Sequence, residues 1–177
     1  MCPIPYRSAE QSSVSKMISV IFVCLGNICR SPMAEAVFKR LAHEEGVDSS
    51  LSVSSFATSD YEVGNPVYPP AQRVLDEKGY TFSHRAQKLT LAEIKNADYV
   101  LVMDGMNYED VCRTAGKNYE NKVFKLGSFL PEPIDIADPW YTGDFERAYS
   151  EIYSSCKVFL HYLMTKHERA FEYDSRH

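Results

Sequence analysis

Cys24 and Arg30 lie in one short stretch, Cys24, Leu25, Gly26, Asn27, Ile28, Cys29, Arg30 and Ser31. A cysteine thiolate is a strong nucleophile, and a guanidinium presents a planar fork that binds two oxygens of one phosphoryl group. With this spacing a single tight loop can put the sulfur beneath a phosphorus atom and the fork beside its oxygens. The chemistry suggested is displacement at a phosphoryl centre, with sulfur as the attacking atom. Such a spacing also recurs by chance in a chain with five cysteines, so the flanking elements decide whether the pair is a site.

Residues 20–23, Val-Ile-Phe-Val, are an unbroken apolar run of the kind buried on both faces of a parallel sheet, and the run ends at Cys24. Ser31 followed by Pro32 reads as an N-cap with proline at the first helical position. Ala34, Val37, Phe38 and Leu41 then continue at helical spacing to about Glu45, before Gly46. A loop between a strand end and a helix start aims its amides and the positive end of the helix dipole at one point, a cradle for a dianionic phosphate. The same donors stabilise a thiolate on Cys24. Gly26 is expected to supply close backbone approach and a positive φ, and Asn27 is one of the few other residues that accept the left-handed region. Leu25, Ile28 and Cys29 complete the expected phosphate-binding loop.

The elements around that loop repeat its alternation. Residues 51–54 predict a second strand, and Pro69 with Pro70 opens a helix through Val74 and Leu75 that Gly79 closes. Thr90 with Glu93 has capping-box spacing for a brief helix, followed by a strand at 99–102, a short helix at 108–111 and a fourth strand at 123–126. From Asp144, the residues Phe145, Ala148, Tyr149, Ile152, Cys156, Phe159, Leu160 and Leu163 form an apolar stripe on a long last helix. Residues 131–139 are the one long irregular segment of the second half, and such loops often carry function. Strands alternating with helices imply right-handed crossovers and a parallel sheet covered on both faces. Ligands bind such sheets beyond the carboxyl ends of the strands, where Cys24 sits.

At 177 residues and 45% hydrophobic content the chain suits one domain with one core. A net charge of -5 with scattered Lys and Arg argues against a nucleic-acid surface. No apolar run is long enough to span a membrane. An odd number of cysteines, without a Cys-x-x-Cys pair or a signal-like segment, reads as free thiols in a reducing cytoplasm. Cys2, Cys112 and Cys156 are assigned no chemistry. Residues 1–16, with two prolines and several serines, read as a disordered leader, and Met17 is a second candidate start. The domain is placed at 17–167 and a polar tail at 168–177.

The stretch from Val23 to Ala36, Val-Cys-Leu-Gly-Asn-Ile-Cys-Arg-Ser-Pro-Met-Ala-Glu-Ala, resembles the signature of low-molecular-weight protein tyrosine phosphatases. Further likenesses are residues 55–64 with Asn65 and Pro66, Ser83 and His84 before residues 87–90, Met103 with Asp104, and Asp138, Pro139, Trp140 and Tyr141. The resemblance covers residues 18 to about 165. It implies a three-layer α/β/α fold with a four-stranded parallel sheet of order 2-1-3-4. It implies hydrolysis of phosphotyrosine and small aryl phosphates through a phosphocysteine, by a monomer, with no metal and no cofactor. Phosphotyrosine-containing proteins are the expected partners, and inorganic phosphate and other oxyanions the expected inhibitors.

Expelling a tyrosyl phenolate, whose conjugate acid has a pKa of roughly 10, needs a proton on the leaving oxygen. The resemblance gives that role to Asp138, which Pro139 holds extended, and then makes Asp138 the base toward water. Asp135 is the nearest competitor. Tyr61, Trp140 and Tyr141 are the expected walls of an aryl crevice, with Trp140 standing where many animal members carry a second tyrosine. By resemblance Asn27, Ser31, Ser55 and His84 form a hydrogen-bond shell that fixes the loop, with Ser31 close to the thiolate. Cys29 is close enough in sequence to capture an oxidised Cys24 as a disulfide.

Three rival readings share these residues. A thiol-coupled arsenate reductase on the same fold needs two further nearby cysteines, and Cys112 and Cys156 are poorly spaced for that. Phosphoarginine phosphatases of the family tend to carry threonine where this chain has Ile28. A non-catalytic phosphotyrosine-binding protein would use the anion loop without needing both Cys24 and Asp138.

Overall fold

The computed structural model describes residues 17–172; the leader expected at 1–16 lies outside them. The strands are β1 (Ile18–Cys24), β2 (Leu51–Ala57), β3 (Tyr99–Val102) and β4 (Val123–Lys125). The helices are α1 (Arg30–Glu44), α2 (Pro69–Glu77), α3 (Leu91–Asn96), α4 (Gly105–Ala115), α5 (Pro139–Thr142), α6 (Phe145–Lys166) and α7 (Glu168–Phe171). All strand pairs are parallel and the order is β2-β1-β3-β4, as expected.

Period-two alternation divides β1 between two cores. Val20 and Phe22 face a cluster with Phe38 and Met33 of α1 and Ile152, Phe159 and Leu163 of α6. Ile21 and Val23 face the other, with Ile94 of α3, Val111 and Ala115 of α4, and Val100 and Val102 of β3. Each such side chain contributes about 1.5–3 kcal/mol when fully buried, which is why a run that is apolar at every position survives only in a central strand. Phe22 and Phe38 meet edge to face at 5.5 Å between ring centres. The register pairs Cys24 with Ala57 and Val23 with Val102, so the carboxyl ends of the three neighbouring strands finish together.

The expected elements are present with shifted ends. Helix α1 begins at Arg30, with Cys29 as its N-cap and no side-chain cap bond. Ser31 is therefore inside the first turn and is not the cap. β2 continues to Ala57, past Ser54 and Ser55, whose polarity hid its last turn of pairing. Asp104, which accepts a bond from the Asn107 N–H, starts α4 earlier than expected. Leu126 belongs to a 3-10 turn rather than to β4. The irregular segment ends in α5, which the sequence reading did not foresee; Asp138 caps it and Pro139 occupies its first position. The capping box of α3 is present, and the Thr90 N–H donates to Glu93 at 2.8 Å. Residues 168–171 of the expected polar tail form α7 and bury Phe171 in the larger core.

Candidate active site

The loop between β1 and α1 closes around the Cys24 sulfur. The Asn27 N–H donates to Sγ at 3.3 Å, and the Ser31 hydroxyl lies 3.0 Å from it. Asn27 Nδ2 donates to Ser31 Oγ at 2.7 Å and to Ser55 Oγ at 3.0 Å. With its oxygen thus accepting, the Ser31 hydroxyl has its own proton to direct at the sulfur. Asn27 Oδ1 accepts hydrogen bonds from His84 Nε2–H at 2.7 Å and from the Gln87 N–H at 3.0 Å. The Ser55 hydroxyl donates to Glu35 Oε1 at 2.8 Å. The result is a buried chain running from Glu35 through Ser55, Asn27 and Ser31 to Cys24, each member fully partnered.

Asn27 is the left-handed residue of the loop, with φ of 58°. Gly26, expected to share that role, is not among the positive-φ glycines. Its missing side chain instead leaves room for Glu62, whose Cγ would lie 3.4 Å from an added Cβ. The carbonyls of Cys24 and Leu25 accept the N–H groups of Thr58 and Ser59, so the segment after β2 holds the loop from one side. The loop is thus held at its carbonyls, while the Asn27 amide points inward at the sulfur.

Arg30 is 2% exposed. Its Nη1 donates to Asp104 at 2.7 Å and to the Ile136 carbonyl at 2.8 Å, while Nη2 faces Asp138 at 3.3 Å. Burial alone would lower its pKa, but Cys24, Asp104 and Asp138 outweigh that and raise it, so the guanidinium stays charged. Since Asp104 and Ile136 hold one corner of the fork, the remaining nitrogens are those that phosphate oxygens can take.

Asp138 closes the opposite side. Its backbone is extended ahead of Pro139, and its carboxylate accepts the Trp140 N–H at 3.0 Å. Asp135 is placed elsewhere: it accepts from Lys125 at 2.9 Å and from the Gly105 N–H at 3.2 Å. The Lys125 bond holds its pKa below the ordinary carboxylate range. Of the two candidates only Asp138 lines the crevice.

The crevice has a volume of about 240 Å³, with Cys24, Cys29 and Arg30 deep in it and Tyr61, Trp140 and Tyr141 at the mouth. Those three rings are 83%, 52% and 78% exposed. Leu25, Gly26 and Ile28 also line it, whereas Ser55 and His84 stand behind the loop and do not. Burial first, then the nearby negative charges of Cys24 and Asp138, push the Cys29 thiol well above its ordinary pKa, so it stays protonated. Burial also lowers the pKa of the His84 imidazole, opposed by the Glu35 carboxylate 3.8 Å from Nδ1.

Four contributors lie in stretches that the sequence singled out, yet no role was assigned to them. Asp104 anchors Arg30, and its signal was its position at the end of β3 immediately before a helix. Glu35 is 5% exposed and terminates the hydrogen-bond chain; it lies within the quoted signature, but a charged residue inside an amphipathic helix reads as solvent-facing. Ser59 and Glu62 line the crevice from the segment after β2, whose serines and acids look like any polar turn.

The family model described as "Low molecular weight phosphotyrosine protein phosphatase" matches residues 19–169. A rat protein of that name is 43% identical over 147 residues, covering 80% of this chain and 93% of its own length. The crystal structure of YfkJ from Bacillus subtilis superposes with a TM-score of 0.83 at 33% identity, covering 86% of this chain and 98% of that one. The solved structure of YwlE arginine phosphatase, a serine mutant with a phosphorylated active-site serine, superposes with a TM-score of 0.77 at 30% identity. It covers 86% of this chain and 99% of that one.

Proposed function

The chain belongs to the low-molecular-weight phosphotyrosine protein phosphatase family, and on that premise we propose that it hydrolyses phosphotyrosine in proteins, and small aryl phosphates, by way of a phosphocysteine on Cys24. The observation that carries the reading is the sulfur of Cys24, bonded by Asn27 N–H at 3.3 Å and 3.0 Å from the Ser31 hydroxyl, in one crevice with Arg30, Asp138 and three aromatic rings.

In the first step the thiolate attacks phosphorus in line. The S–P bond forms as the bond to the tyrosyl oxygen breaks, and the Asp138 proton passes to that oxygen. In the second step Asp138, now a carboxylate, takes a proton from water, whose oxygen attacks phosphorus and returns the electron pair of the S–P bond to Cys24. Arg30 and the loop amides hold the equatorial oxygens throughout, strongest where charge is greatest. Asn27, Ser31, Ser55 and His84 keep those donors in place without reacting. Tyr61, Trp140 and Tyr141 grip the aryl ring, which favours tyrosine over shorter phosphate carriers. The same crevice takes inorganic phosphate and other oxyanions as inhibitors.

The reading extends to a metal-independent, monomeric acid phosphatase of the cytoplasm. No helix among the described residues is long and apolar enough to cross a membrane. Peroxide oxidation of Cys24 would yield a sulfenic acid, which condenses with the neighbouring Cys29 thiol to a disulfide with loss of water. Because Cys29 stays protonated, Cys24 is the sulfur oxidised first. YwlE is named an arginine phosphatase, and the apolar Ile28 in the crevice supports tyrosine over phosphoarginine here.

Phosphate release from tyrosine, serine and arginine phosphopeptides, measured with a chelator present, tests the substrate. Release from phosphotyrosine alone is expected, undiminished by the chelator; faster release from phosphoarginine would reassign the chain. Activity on an aryl phosphate is expected to trace a bell against pH with its maximum on the acidic side, since an ionised Cys24 and a protonated Asp138 must coexist. A steady rise to alkaline pH would contradict that pairing.

A further inference from the structure

Trp140 separates the crevice from Tyr68. It lines the crevice, and its ring centre lies 4.8 Å from that of Tyr68 at 52°, within the range of a favourable aromatic contact. Tyr68 in turn lies 5.9 Å from Phe145, the first residue of α6. Its backbone N–H donates to the Ile28 carbonyl of the phosphate loop at 2.8 Å, and it is the N-cap of α2. One residue therefore touches the phosphate loop through its main chain and the acid-bearing turn through its ring. The turn that carries Asp138 has only four helical residues, ends at Gly143 in the left-handed conformation, and leaves Tyr141 and half of Trp140 in solvent. On its polar side it is held by the Arg30 contact and by the Ile136 N–H bond to the Met103 carbonyl. On its apolar side α5 is held by this stack.

We propose that Tyr68 is a positioning residue for the acid: by backing Trp140 it fixes the reach of Asp138 to the leaving oxygen, two residues along the same turn. The inference rests on Asp138 being the general acid. The link to the acid is the main chain of the same residue, because the Trp140 backbone N–H is bonded to the Asp138 carboxylate at 3.0 Å. Without the Tyr68 contact the four-residue turn is free to shift at Trp140, and a shift of its backbone moves that N–H and the carboxylate with it.

The test compares Tyr68→Ala, Tyr68→Leu and Tyr68→Phe on phenyl phosphate, whose leaving group needs the proton, and nitrophenyl phosphate, which needs it less. Trp140 is the sole tryptophan, so emission from the intact protein reports the stack itself. Tyr68→Ala is expected to lower kcat/KM for phenyl phosphate about fivefold, roughly 1 kcal/mol at 1.36 kcal/mol per decade, and that for nitrophenyl phosphate less than about twofold. Tyr68→Leu, which keeps an apolar side chain without an aromatic face, is expected to match Tyr68→Ala and substitutes for it should the alanine variant not fold. Tyr68→Phe is expected to restore both substrates and the wild-type emission. Equal losses on the two substrates, or an unchanged Trp140 emission in Tyr68→Ala and Tyr68→Leu, would overturn the proposal. Failure of the underlying acid assignment shows separately, as equal losses in Asp138→Ala while the emission change in the Tyr68 variants persists.

Discussion

Cys24→Ser is expected to abolish turnover of phosphotyrosine, by at least roughly 10⁴-fold in kcat, the scale of loss when a covalent nucleophile is removed from enzymes whose catalytic residues act as a unit. A serine hydroxyl is a weak nucleophile unless a base removes its proton, and nothing at this position is arranged to do so. Ser31 offers a hydroxyl and Asn27 an N–H, both of which suit an anion and neither of which takes a proton away. The donors that surround the sulfur remain, so binding of phosphate or vanadate should survive within about tenfold. The variant should still fold, because the replaced atom is one heavy atom in a loop held by the Thr58 and Ser59 bonds and by Asn27. Residual turnover near the wild-type rate would mean that another group attacks phosphorus.

Asp138→Ala carries the second-largest expected effect, and its signature is a difference between substrates. A positioned acid contributes about 10²–10⁴-fold where the leaving group is a poor one. Phenyl phosphate should therefore lose on the order of several hundredfold in kcat/KM, and nitrophenyl phosphate roughly tenfold, because nitrophenolate departs with less help. Asp138 also faces Arg30 at 3.3 Å, so its removal frees guanidinium for phosphate and KM should fall or hold rather than rise. Equal losses on both substrates would assign Asp138 to placing Arg30 and not to proton transfer. The companion variant Asp135→Ala should leave the ratio of the two substrates unchanged, since Asp135 is engaged by Lys125 and Gly105 outside the crevice.

What the sequence made legible was whatever is encoded locally. The run at residues 20–23 could be read as a central strand because every position was apolar, and both cores prove to be built on it. The Cys24 to Ser31 loop could be read because strand end, glycine, asparagine, arginine and helix start adjoin one another. Its internal geometry was less accessible. Ser31 looked like a cap by residue type, yet its hydroxyl is engaged by Asn27 and Cys24, and the helix begins a residue earlier. Gly26 and Asn27 both looked able to take the left-handed conformation, and of the two Asn27 does so, its side chain drawn inward by Ser31, Ser55, His84 and Gln87 together.

Pairings across long stretches of chain left no local mark. Asp104 is 74 residues from the arginine it anchors, and Glu35 is 20 residues from Ser55; a carboxylate's partner is set by topology, which periodicity does not report. Tyr68 was passed over for the same reason, as an aromatic beside two prolines in a turn. Only the fold shows that it touches Trp140 from across the crevice wall. Asp138 became distinguishable from Asp135 once the fold turned one into the crevice and tied the other to Lys125.

Covalent catalysis by Cys24 can be caught by stopping the wild-type reaction with acid within its first turnover on a phosphotyrosine peptide and locating the phosphoryl group by mass spectrometry. One phosphoryl group per chain is expected, on the sulfur of Cys24 and on no other residue, forming faster than free phosphate appears and decaying as it does. Phosphate released with no such adduct at any time point, or an adduct on a histidine or on Cys29, would contradict it.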